Sequence, residues 1–223
     1  MVGLGLKLAY VLNRLWRDDR LSAFRKLWLV RKINKTYCDP LDIIWIDAAA
    51  KMGLHVQRSS EVNASWDGRG TLTIGTPETL DPDDCVAQMI LHEVCHALCE
   101  GHQCLTKPDW GLENADPAKR VHEHACLRLQ AALADQYQMR TFFAATTIFR
   151  SYYDRLPADP LFEDPLDTDV DPAIALAKIA WVQSQQGPWA EPLHEALRRS
   201  AMIAGALAGV TTPESIWHRQ GLA

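Results

Sequence analysis

The five residues His92-Glu93-Val94-Cys95-His96 specify chemistry by their types and spacing. On a helix, positions four apart lie one above the other on the same face. His92 and His96 can therefore offer two imidazole nitrogens to one metal ion. Glu93 lies one step round the helix, placed to handle the proton of a water on that ion. In this arrangement, H-E-x-x-H, the two His bind zinc and the Glu is the general base. That chemistry depends on the stretch being helical, and the flanking residues argue that it is. Asp81-Pro82-Asp83-Asp84 reads as an N-cap, a proline at the first helical position and acids in the first turn. Val86, Met89, Ile90, Val94, Ala97 and Leu98 then recur at helical spacing, on a stripe beside that of the His pair, and Gly101 supplies a stop. The pattern predicts a helix with one face in a core and the neighbouring face carrying the imidazoles.

The elements that must position this helix are legible on both sides. Asp39-Pro40 marks a break, Leu41 to Lys51 reads as a helix ending near Gly53, and Leu54 to Arg58 alternates as a short strand. Asn63 to Gly70, with Asp67-Gly68 inside it, reads as a turn region. The β-branched run Thr71 to Ile74 is a second strand, joined to the motif helix through Thr76 to Leu80. Lys107 to Gly111 is a loop. Asp116-Pro117 repeats the cap-plus-proline signal and opens a helix from Ala118 to about Met139. Residues 141–223 read as further helices around an acidic, proline-punctuated connector, Asp154 to Asp171, with Trp181, Trp189 and Trp217 as packing residues. The expected fold is α+β and mostly helical: a basic amphipathic helical segment at 1–36, a metal-binding core at 37–140 and a helical region at 141–223.

Composition narrows the class. A chain of 223 residues that is 48% hydrophobic can bury one substantial core with an appendage. No apolar run approaches the roughly 20 residues that span a bilayer, and Met1 to Trp16 lacks the pattern of a secretory signal, so a cytoplasmic location is expected. The net charge of −5 is uneven. Residues 1–36 hold nine Lys/Arg against two Asp/Glu (net +7), leaving fourteen against twenty-six in the remainder (net −12). Docking of the basic segment on an acidic body is the favoured reading, with peripheral membrane contact as the alternative. Nothing marks a nucleic-acid-binding protein. The six cysteines form no C-x-x-C pair and read as free, mostly buried thiols.

A catalytic zinc takes three protein ligands and keeps one position open. Cys99 shares the stripe of the His pair, but seven residues of helix place it about 10.5 Å from His92 along the axis, too far to share an ion. His102 follows His96 by six residues, as in H-E-x-x-H-x-x-G-x-x-H sites. Here Cys99 replaces the mid-motif glycine and Gly101 comes two residues late. Glu123, in the helix opened by Asp116-Pro117, is the other candidate, since a carboxylate from a following helix also completes such sites. Spacing alone leaves both open.

The order Gly53-Leu54-His55-Val56, Leu72-Thr73-Ile74-Gly75, Leu91 to Leu98 and the Glu123 helix resembles the small gluzincin domain of ImmA/IrrE-type proteases and related minimal zincins, over roughly residues 40–135. That resemblance implies a zincin core and zinc-dependent hydrolysis of protein or peptide substrates. It implies His92, His96 and Glu123 as zinc ligands, Glu93 as the general base, and the strand Thr71 to Ile74 as the edge that aligns a substrate. His122, His124 and Tyr137 are the nearest oxyanion-stabilising candidates in sequence. Two other functions use the same residues: a non-haem Fe(II) enzyme on the same His-His-Glu face, and a binding or regulatory module on a zincin scaffold. Retention of Glu93 favours an enzyme.

Overall fold

The computed structural model describes residues 34–112, 118–144, 148–164, 166 and 170–218. Asp39–Ala223 forms one compact unit that holds every element below. The basic segment expected at 1–36 lies outside the described residues, apart from its last three.

Helix α1 spans Pro40–Lys51, with Asp39 as N-cap accepting from Leu41 N at 2.8 Å and Pro40 in the first turn. Asp39-Pro40 therefore starts a helix, as a capping carboxylate followed by a residue with no N–H to leave unpaired should do. Trp45 of α1 is fully buried, and its Nε1 donates to Ser200 Oγ at 2.9 Å. Gly53, at φ 82°, takes the left-handed turn that leads out of α1.

Three strands follow: β1 (His55–Ser59), β2 (Ala64–Trp66) and β3 (Thr71–Gly75), in the order β1-β3-β2. β1 runs parallel to β3 with His55 opposite Thr71, and β2 runs antiparallel with Trp66 opposite Leu72. This corrects two expectations. A third strand occupies part of the predicted turn region, and β3 is central, with both edges paired. It has no free edge on which an extended substrate could add. Leu72 and Ile74, alternating along β3, point into the core.

Helix α2 (Val86–Glu100) carries the motif. It begins later than predicted: Asp81 to Asp84 form a separate turn closed by Asp84 N to Asp81 O at 2.9 Å. The cap is Cys85, whose N–H donates to Gln88 Oε1 at 2.6 Å while Gln88 Nε2 donates to the Phe142 carbonyl at 2.7 Å. The predicted stop holds, since Gly101 sits at φ 78° with its N–H on Ala97 O. Except for Met89, every residue from Val86 to Leu98 is buried, on the His face as well as on the apolar stripe.

Two short 3-10 turns, His102–Thr106 and Pro108–Gly111, precede α3 (Ala118–Asp135). α3 ends short of Met139 because Gln138 turns left-handed at φ 56° and Met139 N returns to Ala134 O. A single turn, α4 (Arg150–Tyr153), then leads to α5 (Pro172–Gln186), capped by Asp171, and to α6 (Ala190–Ala206). α3 packs against α2 on one side and α5 on another, and α6 covers α1. The fold is α+β, mostly helical with one small mixed sheet. Trp181, Trp189 and Trp217 pack against the main core. Among the described residues, no helix is long and apolar enough to cross a membrane.

Candidate metal centre

One turn of α2 separates His92 from His96, and their rings meet edge to face with Nε2 atoms 3.2 Å apart. Both are buried, as are Glu93 and Glu123. The His face is covered by α3, whose residues Glu123, Cys126 and Gln130 share one stripe by their i, i+3, i+7 spacing. Glu123 Oε2 lies 3.5 Å from His96 Nε2. Beside that contact, Glu100, one turn beyond His96, pairs with His122 Nδ1 at 2.5 Å and ties the same two helices a second time.

Cys126 and Gln130 approach His92 from behind. Cys126 Sγ donates to the His92 carbonyl at 3.4 Å and lies 3.5 Å from Nδ1. Gln130 Nε2 donates to the Phe143 carbonyl at 2.7 Å, which turns its Oε1 towards His92 Nδ1, 3.0 Å away. Nδ1 must then carry the proton, and the lone pair of His92 Nε2 faces His96. His92, His96 and Cys126 form a buried group whose ligand atoms all lie within 4.8 Å of one another, and it could hold a metal ion. The donor chemistry fits: two imidazoles, one with its tautomer fixed for ligation, with a thiol and a carboxylate in reach. His96 Nδ1 is buried without a hydrogen-bond partner among protein atoms.

Electrostatics separate the donors. Burial, reinforced by the charge of His96, pushes the His92 imidazole below its ordinary pKa and favours the neutral ligating form. Burial alone would do the same to His96, but the hydrogen bond and charge of Glu123 outweigh it and raise His96. Glu123 answers in kind: burial would raise its carboxyl, yet the contact with His96 holds it down to about 2. The Cys126 thiol is pushed well up, first by burial and then by Cys95.

Glu93 does not join the His pair. Its Oε2 accepts from Trp110 Nε1 at 2.7 Å. His102 stands apart, exposed at the head of its 3-10 turn and lining a cavity of about 700 Å³ with Leu54, Trp66, Leu98 and Trp189. The oxyanion candidates are engaged elsewhere: His122 with Glu100, His124 stacked on Tyr152 at 3.6 Å, and Tyr137 bonded to His194 at 2.9 Å. Sequence reasoning missed Cys126, Gln130 and Trp110 as site residues. The stripe spacing on α3 signals the first two, whereas Trp110 has no local signal.

Compared with protein-family models, with curated proteins and with solved structures, the chain matches none.

Proposed function

We propose that this chain is a zinc-dependent peptidase, in which His92, His96 and Glu123 hold the metal and Glu93 is the general base. The observation that carries the reading is the buried His92–His96 pair, whose Nε2 atoms lie 3.2 Å apart, with Glu123 Oε2 3.5 Å from His96 Nε2. Glu123 is preferred to Cys126 as third ligand because it approaches His96 Nε2, whereas Cys126 touches the Nδ1 nitrogen of His92 that already faces Gln130. A small sheet, a motif helix and a following helix with a ligating carboxylate are the parts of a minimal gluzincin-like core.

Bound there, zinc supplies a Lewis acid that polarises a peptide carbonyl and makes water nucleophilic near neutral pH. Glu93 takes the proton of the attacking water on its carboxylate and delivers it to the departing amine nitrogen. Gln130 keeps the His92 proton on Nδ1, and the Glu100–His122 pair holds Glu123 in register with His96. The substrates are proteins or peptides.

Metal analysis of the purified chain and three variants tests this. Wild type and Glu93→Gln each carry one zinc per chain, and Glu93→Gln no longer hydrolyses peptides. Cys126→Ala retains the metal, whereas Glu123→Ala loses it. Stoichiometric iron with oxygen-dependent turnover, or metal lost from Cys126→Ala and kept by Glu123→Ala, overturns the assignment.

A further inference from the structure

Glu93 is held by a residue that no motif marks. Trp110 Nε1 donates to Glu93 Oε2 at 2.7 Å, with both side chains buried. The indole comes from the 3-10 turn Pro108–Gly111, in which Asp109 (φ 44°) and Trp110 (φ 60°) adopt left-handed backbone without being glycine. Consecutive conformations of this kind persist only where surrounding contacts impose them, and they gather at functional sites. The contacts here are specific. Asp109 Oδ1 accepts from Ser65 Oγ at 3.1 Å and from Trp66 N at 3.2 Å, which pins the turn to the outer edge of β2. The Trp110 ring stacks on Trp66 with centroids 4.6 Å apart and planes 5° from parallel. Trp66 is itself fixed by its Nε1 on the Leu105 carbonyl at 3.2 Å. A turn bent against its backbone preference and fastened to the sheet thus ends in one N–H aimed at one carboxylate oxygen.

Core packing does not require this arrangement. A buried indole needs an acceptor, but a backbone carbonyl serves, as it does for Trp66. A carboxylate that must take a proton from a water needs one oxygen presented in a fixed direction. We propose that Trp110 is the positioning residue of Glu93: its indole N–H engages Oε2, fixes the carboxylate plane and leaves the other oxygen to receive the proton. The functional part of this rests on the peptidase reading above.

The test uses the full-length zinc-loaded protein and a pool of quenched fluorescent peptides. Trp110→Phe keeps an aromatic ring against Trp66 and deletes only the donor. Its zinc content equals that of wild type, its kcat falls on the order of tenfold, and its KM stays within about twofold. An independent readout is the indole 15N–1H spectrum. The Trp110 resonance moves upfield in Glu93→Ala while that of Trp66 stays in place, and this holds the proposal to account even if Trp110→Phe does not fold. A Trp110 resonance indifferent to Glu93→Ala overturns the contact. Full kcat in Trp110→Phe, with Glu93→Gln inactive, overturns the positioning role alone. A zinc-loaded wild type inert towards the whole pool overturns the peptidase reading and the role with it.

Discussion

Gln130 decides which nitrogen of His92 can bind a metal. Its amide is oriented by the Phe143 carbonyl, so its oxygen meets Nδ1 and fixes the proton there. Partners of this kind typically contribute 10- to 100-fold to metal affinity through the ligand that they orient. Gln130→Leu is expected to weaken zinc binding by about that factor in competition with a chromogenic chelator, with the helical circular dichroism unchanged. Gln130→Glu keeps an acceptor for Nδ1–H and is expected to bind zinc more tightly than Gln130→Leu, although it loses the bond to Phe143. Equal affinities for the two variants would remove the tautomer argument.

The element that covers the His pair is α3, and it is buried on several sides. Glu123, Cys126 and Gln130 face α2, Leu127 and Ala131 join a small cluster with Tyr153, and Ala125 meets Ala173 and Ala177 of α5. The last contact is a seam of alanines, so the spacing of α3 and α5 is set by the smallest side chains that a helix can carry. Ala177→Leu inserts three carbons there and is expected to cost about 1–3 kcal/mol in urea unfolding. It also pushes α3 out of register, so zinc affinity falls with stability. Ala175→Leu, on the exposed face of α5, is the control and changes neither. The sequence disclosed α2 because its 3.6-residue pattern is long and its Gly101 stop is local. It disclosed α1 and the strands at 55 and 71 for similar reasons. It did not disclose β2, whose three residues lie within a stretch rich in turn signals. Nor did it disclose that β3 is central, since sheet order is a property of pairing across the chain. Asp81-Pro82 has every mark of a helix start, yet the Cys85–Gln88 capping box takes that place. Sequence already favoured Glu123 over His102, whose motif lacks its glycine, and the packing of α3 on α2 brings Glu123 within 3.5 Å of His96 while His102 stays exposed.

At the scale of the whole molecule, the proposed centre joins two of the principal helices, so a metal held there would be linked to the fold. A ligand that binds only the folded state at a hundred times its Kd adds about 2.7 kcal/mol. Chelation is therefore expected to lower the melting temperature of wild type, and Glu123→Ala is expected to melt at the same temperature with or without zinc. A second, metal-independent term lies at the opposite end of α2, in the turn before its cap. Asp84 has one carboxylate oxygen buried without a partner. Burial, with the nearby charges of Asp83 and Asp81 adding to it, raises its carboxyl from 3.8 to about 6 despite a backbone bond at Asp81 and the charge of Arg150. A raised carboxyl means that the folded state binds the proton more tightly than the unfolded chain does. Stability thus falls as pH climbs from about 4 to about 6, and the full cost is present at neutral pH. Because Asp84 is only half buried, solvent screening reduces that cost to about 1 kcal/mol. Asp84→Asn removes the ionisation at nearly constant size. Its urea midpoint is expected above that of wild type at pH 7.5 and level with it at about pH 3, where Asp84 is largely protonated in both the folded and the unfolded state. A variant equally stabilised at both pH values would trace the gain to packing in the turn and not to the buried charge.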